Sequence, residues 1–121
     1  MKKYKMIALL KKREDISRDE FISHYEVVHV PLMLSIFPTI REYRRNYADF
    51  DSAFLFPDAA PFDFDCVTEF WFDSEADYKD FLKRSADPDV VARVEADAQL
   101  ILARSFTRMF DVQEHITTNP S

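Results

Sequence analysis

The amino-acid sequence predicts an α+β fold, in which a four-stranded antiparallel sheet carries helices on one face. Four short segments rich in β-branched and aromatic residues alternate with amphipathic segments of helical period. Their order along the chain is strand, helix, strand, strand, helix or helix pair, strand. Right-handed connections place such a chain in the ferredoxin-like arrangement.

The first strand is predicted over Lys3 to Lys11, and a well-marked helix follows it. Apolar residues lie on both alternating faces of the strand, so we expect both faces to be covered. Ser17 and Glu20 form a capping box, in which each side chain bonds a backbone N–H of the first helical turn. Pro31 has no N–H and disfavours helical backbone before it, which predicts that the helix ends or kinks near His29.

This helix carries one apolar stripe and two histidines. At helical spacing His24 and His29 lie on opposite flanks of this stripe. We interpret His24 as a flank residue rather than a ligand. The residues of the stripe are Phe21, Tyr25, Val28 and Leu32.

Three further strands and two further helical segments complete the predicted fold. The second strand alternates between Tyr43, Arg45 and Tyr47 on one face and Glu42, Arg44 and Asn46 on the other. Prolines and the lack of a period predict a loop between the second and third strands, and the polar C-terminal tail is expected to fray. The predicted ranges are strands 39–47, 66–72 and 106–112, the loop 49–63, helices from the Ser74 cap to about 84 and from Pro88 to about 104, and the tail 117–121.

Composition limits the class of protein. The 121 residues are expected to form one domain over residues 1–121, and 47% hydrophobic residues suffice for an ordinary core. A net charge of −6 argues against nucleic acid and anionic membranes as partners, since both bind clustered Lys and Arg. The N-terminal apolar run from Met6 to Leu10 is too short for a signal peptide or a membrane span, so a soluble, cytoplasmic protein is expected.

The sequence contains no glycine. Phosphate-binding loops, dinucleotide fingerprints and nucleophile elbows all need glycine, so these nucleotide-binding and hydrolase classes are excluded. Cys66 is the one cysteine, which leaves no intramolecular disulfide and no cysteine-based metal site, and we interpret it as a core residue. We expect neither a metal nor an organic cofactor.

One face of the predicted sheet has no helix to cover it. Because the first strand is apolar on both sides, the simplest cover is a second subunit that packs sheet against sheet. The sequence therefore predicts a homodimer, in the form of a dimeric α+β barrel.

The chain resembles the EthD-like proteins of the dimeric α+β barrel superfamily over nearly its whole length, from about Tyr4 to Val112. The most specific element is the His-x-Pro-Leu sequence at the end of the first helix, and the Glu-x-Trp-Phe strand supports it. The resemblance implies a homodimer, a pocket between sheet and helices, and often no metal or organic cofactor. The segments that carry it are 8–11, 17–25, 28–32, 40–43 and 69–74.

The resemblance also indicates catalytic candidates. In similar lactone isomerases a helix-one histidine and a strand-two tyrosine belong to the active site, and they match His29 and Tyr43. Those relatives bring a second histidine from the loop after strand two, and this sequence departs from their pattern because residues 49–63 contain none. As a catalyst, His29 would transfer a proton as a neutral base if its pocket is closed, and Tyr43 would donate a hydrogen bond to an oxygen that gains charge. The alternatives are a helix-end histidine bonded to a carbonyl and a tyrosine that packs in the sheet.

Seven residues are candidates for substrate binding. Arg45 would pair with a substrate carboxylate or else with an acid of the protein. Glu69 and Trp71 share one face of the third strand and therefore line either the pocket or the subunit interface. Five phenylalanines lie in the loop 49–63 or next to it, as a lid over the pocket or as an arm of the dimer. The candidates are Tyr25, Arg45, Phe54, Phe56, Glu69, Phe70 and Trp71.

Three functions are compatible with these features. The first is a cofactor-independent lyase, isomerase or cyclase that acts on a small hydrophobic compound, of aromatic, polyketide-like or lactone type. The second is a protein of the same fold that binds such a compound without catalysis, as an accessory protein of a degradation pathway. The third is a cofactor-free monooxygenase with a phenolic substrate.

Overall fold

The computed structural model describes residues 4–120 and has the predicted order of elements. One antiparallel sheet with the strand order β2-β3-β1-β4 packs against the helices. This is the ferredoxin-like α+β fold. The strands are β1 (Tyr4–Leu10), β2 (Glu42–Tyr47), β3 (Cys66–Phe72) and β4 (Arg108–Asp111). The helices are α1 (Arg18–His24), a π-helical turn (Tyr25–His29), α2 (Val30–Ile36), α3 (Glu75–Ser85), α4 (Pro88–Ile101) and a short 3₁₀ turn (Arg104–Phe106).

The predicted boundaries of most elements are close to the observed ones. The range of β3 is confirmed, whereas the predicted start of β1 at Lys3 lies outside the described residues. The second strand begins at Glu42 rather than Thr39, and α4 ends at Ile101, before a 3₁₀ turn that includes Phe106. Residues 112–120 have no regular secondary structure.

The two faces of the sheet differ in their neighbours. Alternate residues of β1 and β3 pack against the four α-helices and form two buried clusters, one around Tyr25 and one around Phe81. The opposite side of the sheet, which we call the outer face, combines apolar and charged side chains. The register places Lys5, Ile7, Leu9, Glu42, Arg44, Asn46, Val67, Glu69, Trp71, Arg108 and Phe110 on the outer face.

Side-chain caps fix the starts of the helices. The Ser17 Oγ accepts the N–H of Glu20 at 3.1 Å, and the Glu20 carboxylate accepts the N–H of Ser17 at 3.1 Å, so the predicted capping box is confirmed. Ser74 caps α3 by accepting the N–H of Asp77 at 3.1 Å. In α3 the side chain of Phe81 is buried, whereas the neighbouring Leu82 is exposed.

The first helix does not end at His29. Its backbone continues through the π-helical turn into α2, where the N–H of Val30 bonds the carbonyl of Tyr25, five residues before it. This wide turn ends at His29, and α2 begins at Val30 with Pro31, whose ring has no N–H to donate, in its first turn. The extra residue turns Val28 towards solvent, so its predicted place in the apolar stripe is wrong.

Residues 49–63 form the predicted loop, and the phenylalanines in it or next to it divide into two groups. Phe50, Phe62 and Phe64 pack on one another, with the rings of Phe50 and Phe62 stacked at a centroid distance of 4.1 Å. Phe54 and Phe56 instead project from the chain and are 84% and 73% exposed. The loop therefore presents a pair of exposed aromatic rings next to a compact aromatic base.

Candidate functional site

The candidate site lies where the π-helical turn meets α4 and the sheet. Tyr25 and His29 are the first and last residues of that turn, and both are buried. Their rings are in edge-on contact, with a centroid distance of 5.3 Å and an interplanar angle of 88°. Single π-helical turns within α-helices are frequent at functional sites, because the wide turn redirects side chains that a regular helix would place elsewhere.

Asp97 of α4 binds both histidines of this helical segment. Nε2 of His24 lies 2.7 Å from one carboxylate oxygen, and Nδ1 of His29 lies 2.8 Å from the other. The two rings therefore converge on one carboxylate, and the prediction that they occupy opposite flanks is wrong. The extra residue of the π-helical turn changes the angle between positions 24 and 29.

The contact with Asp97 assigns the tautomer of His29. Since a carboxylate accepts hydrogen bonds, the proton of the neutral ring is on Nδ1 and the lone pair is on Nε2. Burial lowers the pKa of His29 below its usual value; the hydrogen bond that His29 donates to Asp97 opposes this shift, and the charge of Arg104 adds to it. His29 is therefore neutral at pH 7 and presents a basic Nε2.

A group of buried hydroxyls lies on the other side of Tyr25. The Tyr25 hydroxyl is 2.9 Å from that of Tyr43 and 2.8 Å from Oγ1 of Thr68. Burial raises the pKa of both tyrosines, so both remain protonated and can donate hydrogen bonds. Tyr25 contacts the rings of both His29 and Tyr43 and thus joins the two predicted catalytic residues.

Arg45 is engaged by the protein itself. Its guanidinium binds the Glu26 carboxylate through two hydrogen bonds, at 2.9 and 2.5 Å, and lies 5.1 Å from the centroid of the Tyr43 ring. The hydroxyl of Tyr47 also donates to Glu26. Of the two partners predicted for Arg45, a substrate carboxylate or an acid of the protein, the structure shows the acid of the protein.

Two other substrate-binding candidates lie on the outer face, away from His29. Glu69 accepts hydrogen bonds from Lys5 and Asn46, each at 2.8 to 2.9 Å, so it does not orient a histidine. The ring of Trp71 lies between the cations of Lys5 and Arg44, with centroid distances of 4.5 and 4.6 Å. Period-two alternation predicts that both residues share a face but does not determine which face meets the helices.

The remaining candidates are divided between the core and the surface. Phe70 belongs to the helix-packed side of the sheet, and its ring lies 4.7 Å from that of Tyr43. The exposed Phe54 and Phe56 contact each other, and the structure does not bring them to His29. Cys66 is buried, and burial raises the pKa of its thiol to about 11, as expected of a core residue.

The sequence reasoning missed Asp97 and Thr68. A signal for Asp97 is present, because Val90, Val94, Asp97 and Ile101 recur at helical spacing and place one acid on the apolar side of α4. An acid in such a stripe needs a buried partner. Thr68 carries no comparable signal, since threonine is common in strands.

Residues 4–120 lack both a membrane-spanning helix and a cluster of metal-ligating side chains. No helix in that part of the chain is long and apolar enough to cross a membrane. The same residues contain no group of three or more His, Cys, Asp or Glu placed to hold a metal ion.

Solved structures with the same fold come from several organisms. An ethyl tert-butyl ether D family protein from Bacillus halodurans is 19% identical, with a TM-score of 0.60 over 94% of this chain and 100% of that one. A dimeric ferredoxin-like protein of unknown function from Thermobifida fusca is 18% identical, with a TM-score of 0.53 over 94% and 91%. A hydroxynitrile lyase from Passiflora edulis is 16% identical, with a TM-score of 0.54 over 96% and 98%. Comparison with curated protein sequences gave no match.

The sequence also matches a family model. The EthD domain model matches residues 13–105, which include α1, the π-helical turn, β2, β3 and α4. All the residues of the candidate site, from His24 to Asp97, lie within the match. The chain is therefore a member of the EthD family.

Proposed function

We propose that this protein is a homodimeric, cofactor-independent lyase, isomerase or cyclase that acts on a small hydrophobic compound by proton transfer at His29. The observation that carries the proposal is the Asp97–His29 pair, in which the bond to Nδ1 leaves the basic Nε2 of a neutral imidazole for chemistry. A carboxylate that orients a histidine in this way also stabilises the imidazolium that forms when the ring accepts a proton.

The proposed chemistry is the removal of a proton next to a carbonyl or a similar electron-withdrawing group. Nε2 of His29 accepts the proton, and the electron pair of the broken bond moves towards the substrate oxygen. Tyr43 donates a hydrogen bond to that oxygen, and Tyr25 fixes the orientation of the Tyr43 hydroxyl. The product forms when the proton returns at a different atom or when a leaving group departs.

The chemical character of the surroundings supports a small apolar ligand. Apart from its histidines, hydroxyls and Asp97, the cluster around Tyr25 is built from aliphatic and aromatic side chains such as Phe21 and Val30. His29 and Tyr25 are buried, so ligand entry requires side chains around the π-helical turn to move. The Passiflora edulis hydroxynitrile lyase supports the reaction class, as a lyase of the same fold.

The outer face supports the homodimer. Ile7, Leu9, Val67 and Phe110 form the apolar part of this face, and Lys5 and Glu69 are paired beside them. Paired charges around apolar residues are typical of a surface that can be buried against a copy of itself. The dimeric ferredoxin-like protein from Thermobifida fusca has the same fold. Light scattering at micromolar concentration is expected to give twice the chain mass of 14.3 kDa, and a single species at the chain mass would refute the dimer.

The experiment that tests the catalytic proposal begins with native mass spectrometry of the purified protein, to identify a bound small molecule. That molecule and analogues that carry an acidic C–H bond are then assayed with wild-type protein and with His29→Gln. The variant is expected to lose about 10²- to 10⁴-fold in kcat with ligand affinity nearly unchanged. His115→Gln is the matched control, because His115 lies in the exposed tail far along the chain from the site.

A non-catalytic binding protein is the second candidate, and the burial of His29 favours it, because a closed site can retain a ligand without releasing a product. In that case the ligand binds to wild type and to His29→Gln alike, and neither protein turns it over. Equal turnover by the two proteins would refute the assignment of His29 as the base. Oxygen consumption with a phenolic ligand would instead indicate a monooxygenase.

A further inference from the structure

We propose that His24 is a positioning residue that keeps His29 in its neutral, basic form in mildly acidic solution by competing for Asp97. This inference rests on the proposed function, since it concerns the residue assigned there as the base. No feature of the sequence motif containing His29 requires a second histidine on the same carboxylate. The structure nevertheless brings both rings to Asp97 at hydrogen-bond distance.

One carboxylate carries one negative charge and can balance only one imidazolium fully. When either ring accepts a proton, the ion pair that it forms with Asp97 neutralises the charge that would stabilise the other. The remaining charged group acting on His29 is Arg104, which also disfavours a second positive charge there. Arg104 itself is paired with Glu95 on α4. Tyr25 contacts the His29 ring as an uncharged phenol.

The two rings differ in access to water. The side chain of His24 is 27% exposed and that of His29 is 7% exposed, so the charged form costs less desolvation on His24. His24 also borders an open groove on the surface of α1, through which solvent reaches its ring. The groove is lined by Asp19, Glu20, Ser23, His24, Val27 and Val28.

The competition follows from the shared carboxylate. A protonated His24 forms an ion pair with Asp97, since its Nε2 lies 2.7 Å from the carboxylate. The buried ring of His29 consequently loses the counter-charge that would help it to accept a proton from solvent. Its Nε2 stays unprotonated to a lower pH than it would if Asp97 served His29 alone.

A purely structural role makes a different prediction. If His24 only links α1 to α4 through Asp97, an uncharged donor at position 24 would preserve the link and leave the titration of His29 unchanged. His24→Gln provides such a donor, because the glutamine amide can bond Asp97 but never carries a charge.

The test is a ¹⁵N NMR titration of the imidazole nitrogens in histidine-labelled, full-length protein without ligand. In His24→Gln, the titration midpoint of His29 is expected to rise by about one pH unit relative to wild type. His115→Gln is the control and should leave the midpoint unchanged. A change of less than about 0.3 unit in His24→Gln, or a lower midpoint, would overturn the proposal.

A measurement on the wild-type protein covers the case in which His24→Gln fails to fold. The nitrogen shifts of His29 should then respond in two steps, the first coinciding with the titration of His24, whereas a single-step curve contradicts the coupling. Because both measurements use protein without substrate, their failure is distinct from failure of the proposed reaction. If a substrate is found, the acid limb of the kcat/KM profile of His24→Gln should move to higher pH by the same amount as the His29 midpoint.

Discussion

The replacement Asp97→Ala tests the structural side of the candidate site directly. It removes the acceptor from a buried donor, Nδ1–H of His29, and from a partly exposed donor, Nε2–H of His24. An unsatisfied buried donor costs about 1 to 3 kcal/mol, and a lost neutral hydrogen bond near the surface costs about 0.5 to 1.5 kcal/mol. Removal of the carboxylate also removes the cost of burying its charge, which offsets part of these losses. We therefore expect a net loss of about 2 kcal/mol in the free energy of unfolding.

The assay for Asp97→Ala is urea unfolding followed by circular dichroism at pH 7.5, with all proteins at one fixed concentration because the proposed dimer makes stability concentration-dependent. Glu95→Ala is the matched control on α4, since its ion pair with Arg104 lies at the surface and should contribute no more than about 1 kcal/mol. A loss for Asp97→Ala of less than about 0.5 kcal/mol, or one equal to that of Glu95→Ala, would refute the argument that Asp97 satisfies a buried donor.

Three further predictions concern the tyrosines, acid stability and the loop. Tyr25→Phe should cost about 1 to 3 kcal/mol in urea unfolding, more than Tyr43→Phe, because the Tyr25 hydroxyl has two buried partners; the opposite ranking would contradict the network. Stability should fall as the pH drops below about 6.5, because the lowered pKa of folded His29 lets the unfolded chain bind the proton first. This fall should be smaller in His29→Gln, and equal slopes in the two proteins would rule out His29 as its source. Replacing both Phe54 and Phe56 with serine should weaken ligand binding more than dimerisation, and the reverse result in paired calorimetry and light scattering would assign the loop to the interface.

Local rules were sufficient for most of the fold. The capping box at Ser17, the cap of α3 at Ser74 and the β-rich run Cys66–Phe72 depend on residues close together in sequence, and the structure has them where they were predicted. At Pro31 the proline rule predicted that the helix ends or kinks near His29, and the backbone is irregular there but does not end. The rule could not choose between these two outcomes because it is also local. It describes the lost N–H correctly but contains no information on the buried side chains of α2, whose packing keeps the backbone helical beyond the proline.

The candidate site was predictable only in part, since it depends on contacts between distant segments. The sequence indicates His29 and Tyr43 but not Asp97, which lies 68 residues after His29 and meets it only when α4 packs on the π-helical turn. Likewise, alternation along β3 groups Glu69 with Trp71, yet only the packing of the helices decides that this pair lies on the outer face.

The π-helical turn holds one residue more than an ordinary helical turn and contains that residue locally. Val27 and Val28 are 70% and 44% exposed, so polar residues at these two positions would disturb little. Deletion of either one would let the N–H at the end of the turn bond the carbonyl four residues before it, as in an ordinary helix, and the residues after the turn would keep nearly their present orientation. The two histidines would then be four positions apart and would still share the helix face towards Asp97. Among homologues, substitutions should therefore be frequent at Val27 and Val28, and the loss of one residue there should leave Met33 and Ile36 in the core.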